Sequence, residues 1–198
     1  NSGALPVPVT LVSTESIGPT LGADALRAGI HAGLIGLIAI MILLIVWYRL
    51  PGLIASVSLI IYTVIMLALF KYIPVTLTSA GIAGFIISLG MAVDANILIF
   101  ERMKEELKEG KSLQNALSEG FARAWNSIRD GNISSMISAL ILAWFGTALI
   151  KGFAITFGLG VLVSMITAMT VSKVFLKAIA GHNAGRAKRF LFSSGLSK

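Results

Sequence analysis

An all-α membrane protein is the fold class this sequence predicts, and three observations predict it. Of its 198 residues 56% are hydrophobic and 13% charged, with a mean hydropathy of +0.89, whereas soluble domains carry about 25% charged residues. The apolar residues fall into five segments read as helices across a hydrocarbon slab of about 30 Å. The 16 Lys and Arg residues gather at the ends of those segments, as orientation signals do. The net charge of +7 and pI near 10 therefore reflect membrane topology, and nucleic acid is not an expected partner. With no cysteine and only two distant histidines, His31 and His182, neither a disulfide nor a metal cluster is expected.

Residues 1–22 differ from the rest. Leu5 to Thr14 is β-rich, with Pro6 and Pro8 marking an edge or entry strand because proline cannot donate to a ladder. Residues 17–22 form a turn-rich link. This stretch is expected to be the last strand of a water-exposed domain whose remainder lies upstream, since the chain begins without an initiator methionine or a signal-peptide pattern.

The transmembrane domain is expected over 23–176. Its first span, about 29–48, ends at Arg49-Leu50-Pro51-Gly52, a link so short that the second span, about 53–70, must pack antiparallel beside it. Lys71 to Thr78 is the next turn. The third span, about 77–100, is expected to continue as helix to Glu109, with Gly110 as its C-cap. Ser112 can cap a new helix over about 112–128. Its Leu113, Ala116, Leu117, Gly120, Phe121, Ala124, Trp125 and Ile128 recur at amphipathic spacing, so it should lie along the membrane interface or against the foot of the bundle. Spans four and five are about 132–150 and 153–176, with Lys151-Gly152 as the tight turn between them and Asp130 and Asn132 as caps of the fourth. A basic tail, 177–198, closes the chain. Trp47, Tyr48 and Tyr72 fit an aromatic belt.

Counting Lys and Arg alone, thirteen lie on the side holding 101–130 and the tail, and Arg27, Lys71 and Lys151 lie on the other. That bias makes the former side cytoplasmic and the N-terminal end outward-facing.

Two rows of small residues recur at every fourth position: Ala80, Gly84, Ser88, Ala92 and Asn96 in the third span, Gly152, Thr156, Gly160, Ser164, Ala168 and Ser172 in the fifth. Such ridges let membrane helices approach closely and mark the inner helices of the bundle. Gly90, on a strip with Ala83, Ile87, Asp94, Ile97 and Leu98, is a further small residue expected at a helix contact.

Asp94 carries the functional reading. It comes after 22 uncharged residues and precedes six more before Glu101, which places a carboxylate inside the slab at a cost of several kcal/mol. No Lys, Arg or His lies in the apolar centre of any span. Asp94 must then be protonated, hydrated, or paired with a cation from another chain, and each state suits a proton carrier better than a fixed charge. A neutral acid bonded to a neighbouring helix is the structural alternative. Asn96 is either structural or a modulator of Asp94, and Asp130 and Asn132 are supporting polar residues. Nothing in the sequence supports nucleotide, hydrolytic or metal chemistry: Gly158-Leu159-Gly160 sits inside a span, and no catalytic triad or zinc motif is present. No enzymatic activity and no cofactor are expected.

GMAVDANILIFERMKEEL (90–107) strongly resembles the signature of the SecD family within the SecD/SecF proteins. SGALPVPVTLVSTESIGPTLGADAL (2–26), EGFARAWNSIRDGNISS (119–135) and IKGFAITFGLG (150–160) are similar to its other motifs. Asp130-Gly131-Asn132 and Ser134-Ser135 depart conservatively from the family's D-A-N and T-T. The resemblance implies an RND-type half-bundle of six helices, of which this chain holds five, ending a periplasmic domain on its N-terminal side. It implies SecF as the pseudo-symmetric partner, association with the SecYEG channel in the bacterial inner membrane, and use of the proton-motive force to draw translocating preprotein outward. It also implies that Asp94 belongs to the proton path. Half of an RND-like small-molecule or lipid exporter, or a non-transporting scaffold for the channel, would share the same membrane fold.

Overall fold

The computed structural model describes residues 19–73 and 78–180; the predicted N-terminal strand, the turn at Pro74 and the basic tail from 181 lie outside them. Every element among the described residues is helical: α1 (Pro19–Tyr48), α2 (Leu50–Tyr72), α3 (Ser79–Lys108), α4 (Leu113–Phe145), α5 (Ala148–Thr167), a π turn (Ala168–Ser172) and α6 (Lys173–Ala180). Four stretches are long and apolar enough to cross a membrane: α1, α2, α3, and α5 continued through the π turn into α6. The chain is a multi-pass membrane protein.

Local chemistry sets the ends of these helices. Arg49 alone separates α1 from α2 and takes a positive φ of 53°, so the two helices fold back on each other with Pro51 in the first turn of α2, where its missing N–H costs nothing. A Cβ on Gly52 would run into the Leu44 backbone, so this corner is closed by the absence of a side chain. Thr78 caps α3 by accepting from the Gly81 amide at 3.1 Å, and Ser112 caps α4 by accepting from the Asn115 amide at 3.3 Å. Gly110, at φ +87°, ends the α3 side as expected of a C-terminal glycine.

The centre of the bundle is the contact between α3 and α5, which run parallel because α4 returns the chain between them. The two small-residue rows meet each other there. The Thr156 hydroxyl donates to the Gly81 carbonyl at 2.8 Å. A Cβ on Gly84 would stand 2.7 Å from the Phe153 carbonyl oxygen, and one on Gly160 would collide with Ser88. Ser88, Ala92, Asn96, Thr156, Gly160, Ser164 and Ser172 are all buried. Lipid tails are as apolar as leucine, so close backbone approach and interhelical hydrogen bonds supply the attraction. Tyr62 of α2 joins through its hydroxyl, 2.7 Å from Ser88 Oγ. α1 is the outermost helix, packing on α2 and α3 and leaving Ile35, Val46 and Trp47 exposed.

Four expectations are corrected. The helix predicted over 112–128 and the span predicted from 132 are one 33-residue helix, α4; Asp130 and Asn132 are therefore mid-helix residues and cap nothing. Burial of Ala124, Ile128 and Asn132 along one face carries the helix through that polar stretch. The turn into α5 falls at Gly146-Thr147, so Lys151 and Gly152 lie inside α5. Tyr48 is 6% exposed, packed on the Phe100 ring at 5.4 Å and donating to Glu101 Oε1 at 3.0 Å, and does not stand in an aromatic belt. Gly90 is exposed, and no atom lies within 4 Å of where its Cβ would be, so within this chain it packs against nothing.

Candidate functional site

α3 presents two faces with different chemistry. Ala80, Gly84, Ser88, Ala92 and Asn96 turn towards α5, while Ala83, Ile87, Gly90 and Asp94 form an exposed strip on another side. The sequence dictates both, because positions four apart share a helix face and positions two apart do not. Asp94 and Asn96 therefore point to opposite sides of α3, about 200° apart at 100° per residue.

Asp94 opens into a cleft of about 250 Å³ between α3 and α4, whose walls include Met91, Leu98, Ser127, Gly131, Asn132 and Ser135. Among the described residues, Asp94 makes no ion pair or side-chain hydrogen bond. The structure thus brings Asp94 and Asn132 to one cleft. Asp130 is exposed and paired with its neighbour Arg129, Nη2 to Oδ1 at 2.9 Å. On α4, Ser135 and Ser138 donate to the carbonyls of Gly131 and Ser134 at 3.1 and 3.0 Å. The cleft can hold water against a carboxylate, and its open side can receive a group from another polypeptide.

Asn96 is 2% exposed. It donates through Nδ2 to the Ala92 carbonyl at 2.9 Å and accepts at Oδ1 from Ser172 Oγ at 2.5 Å. Its partner sits in the π turn, where one inserted residue widens a helical turn, an arrangement frequent at functional sites.

Sequence reasoning missed a second cluster. Beyond its apolar part, α3 runs on as a polar extension, and there Glu106 is buried at 1% exposure. It binds Lys111 after the turn and Arg123 of α4; Lys111 also binds Glu119 and reaches Glu109 at 3.2 Å, while Arg123 reaches Glu105 at 3.6 Å. Together Lys111 and Arg123 hold the Glu106 carboxyl well below the usual carboxylate range, at about 2, and the carboxylates raise Lys111 above its ordinary value in turn. Close to this cluster Gly120 lets α4 approach so that a Cβ would stand 2.8 Å from the Met103 backbone. The signal was available: Glu106 continues the buried series Ala92, Asn96, Ile99 and Met103 at alternating spacings of four and three.

Residues 5–182 match the family described as protein export membrane protein SecD/SecF, C-terminal. The chain is 53% identical to the protein translocase subunit SecD of Thermobaculum terrenum over 182 residues, 90% of this chain and 35% of that protein. It is 50% identical to SecD of Dehalococcoides mccartyi, over 98% of this chain and 44% of that one. Among solved structures, SecDF from Thermus thermophilus, described as a translocon-associated membrane protein, is similar at a TM-score of 0.80 and 42% identity, over 83% of this chain and 23% of that one. SecDF in a super-membrane-facing form gives a TM-score of 0.77 and 41% identity, covering 90% of this chain and 24% of that one. The chain thus spans less than half the length of these relatives.

Proposed function

This chain belongs to the SecD/SecF family of protein export membrane proteins, and we propose accordingly that it is the membrane half-bundle of a proton-driven subunit of the bacterial Sec translocase. In this reading SecF supplies a second half-bundle against the α3–α4 face. The pair sits with the SecYEG channel in the inner membrane, and proton flow at Asp94 drives a domain outside the membrane that draws preprotein outward. The 102–129 segment faces the cytoplasm, as the Lys and Arg bias requires. The work is mechanical, without a covalent step on the polypeptide, and needs no cofactor.

The observation that carries this reading is the state of Asp94: a carboxylate at membrane depth, on an open cleft, with no cation or hydrogen-bond donor on its side chain among the described residues. An unpaired charge there is costly, so taking up a proton, or meeting a cation on a partner half-bundle, relieves it. Protonation removes the tie to such a partner and lets the halves move relative to each other; a ligand-driven switch needs two states that bind the proton differently. Asn132 and the α4 serines give water a path to the acid. Asn96 lies on the far side of α3 and is not a direct relay in this scheme.

The test is Asp94→Asn in the full-length protein with its partners. The variant should assemble with wild-type abundance and lose the part of preprotein export that responds to a proton gradient. Gradient-dependent export at the parental rate would remove Asp94 from the mechanism.

A further inference from the structure

Asp94 faces the cleft only while α3 keeps its rotational setting, and at the level of the acid one side-chain hydrogen bond ties α3 to the π turn. Asn96 is buried against the π turn through its bond with Ser172, itself 0% exposed. Ser172 is the last residue of the π turn, and α6 leaves from the next residue. The seating of α6 depends on that turn: Leu176 is fully buried, and the Lys173 ammonium lies 5.7 Å from the centre of the Phe121 ring on α4. Removing the inserted residue, or moving it past Ser172, would rotate neighbouring helix by about 100° relative to what precedes it. At the upper edge of the turn, Ser58 of α2 reaches the Thr167 carbonyl at 3.5 Å. The turn is thus tied to α2 at one end and to α3 at the other.

We propose that the Asn96–Ser172 hydrogen bond is a pin that locks the rotation of α3 to the π turn, making Asn96 and Ser172 positioning residues for Asp94. The inference rests on the proton-carrying reading of Asp94 and deepens it. With the pin closed, Asp94 faces Asn132 and Ser135 across the cleft; with the pin open, the part of α3 around Asp94 loses its tie to the π turn, and the π turn can travel along its helix. Movement of the acid is thereby transmitted to α6. Among the described residues, no titratable side chain other than Asp94 lines the cleft. On α4, Arg129 and Asp130 pair with each other; the π turn carries no charge, and Lys173 is engaged over Phe121.

The experiment uses the full-length protein in vesicles of phosphatidylethanolamine and phosphatidylglycerol. A hydrophobic carbodiimide, which reacts with protonated carboxyls, reports on Asp94 by mass spectrometry across a pH series. Ser172→Ala removes the donor and little volume. Thr156→Ala is the comparison, because it removes another buried hydrogen bond to α3, the one from α5 to Gly81. Ser172→Ala should move the pH of half-modification by half a unit or more, about a threefold change in proton concentration, while Thr156→Ala leaves it in place. If both variants shift it alike, or if neither does, the pin is overturned. Should Ser172→Ala fail to accumulate, Asn96→Leu replaces it with the same expected shift and the same overturning result. Failure here is distinct from failure of the proposed function: export lost in Asp94→Asn with unmoved modification in Ser172→Ala sinks the pin alone.

Discussion

Gly160→Ala tests the central contact of the bundle. The added methyl would collide with the Ser88 side chain and stand 2.8 Å from the Tyr62 hydroxyl, in a site where Ser88, Tyr62 and Thr156 are all 0% exposed. Overpacking of this kind costs about 1–3 kcal/mol. Displacing Ser88 also strains the 2.7 Å Tyr62–Ser88 hydrogen bond, and a buried hydroxyl left unpaired costs about 1–3 kcal/mol more. Replacing glycine by alanine inside a helix returns about 1 kcal/mol. The net effect is a destabilisation of about 1–5 kcal/mol, which for a chain of this size lowers the melting temperature by roughly 2–20 °C. Thermal unfolding of the detergent-solubilised protein measures it, with Gly36→Ala as the reference, since no atom lies within 4 Å of a Cβ there and only the helix-propensity gain applies. The double variant Gly160→Ala with Ser88→Gly removes the clashing hydroxymethyl but also the Tyr62 hydrogen bond, so it should recover the overpacking part only and lose less than the two single variants summed, a coupling expected only of residues in contact. If Gly160→Ala melts with Gly36→Ala, the two ridges do not meet and the α3–α5 contact is wrong.

The buried Glu106 cluster makes stability of the α3–α4 turn depend on pH at both extremes. A carboxyl held at about 2 contributes stability that is fully present above its ordinary value of 4.5 and lost as pH falls through 2. Lys111, raised above its ordinary 10.5, contributes stability that is present below 10.5 and lost as pH rises through its folded value. Hydrogen exchange of amides 101–123 should therefore show constant protection between these limits and loosening below pH 4.5, and Glu106→Gln should abolish the acid-side change. Acid-side loosening unaltered in Glu106→Gln would assign it to another group. Gly110→Ala should cost about 1–2 kcal/mol, because φ +87° forces a side chain into left-handed backbone; the same exchange experiment would show the turn opening, and unchanged protection would contradict the geometry.

Much of this molecule is written locally. Charge-free runs mark the membrane helices, Gly110 and Ser112 announce the break between α3 and α4, and small residues every fourth position pick out the inner faces of α3 and α5, because each signal depends only on helix periodicity and near neighbours. Asp94 stands out for the same reason, as one charge in a long uncharged stretch. The polar run Arg129-Asp130-Gly131-Asn132 looked like a helix start and is the middle of α4, and Lys151-Gly152 looked like a turn and is helix. In both places local preference is weak and burial against neighbouring helices decides. Periodicity along the chain is enough to say which residues share a face. Which faces meet was settled by the packed bundle, which sets Asn96 on Ser172 across 76 residues, Glu106 on Arg123 across 17 and Asp94 over the α4 cleft, because a pairing between distant helices is fixed by the packing of all of them together and leaves no period in the amino-acid order.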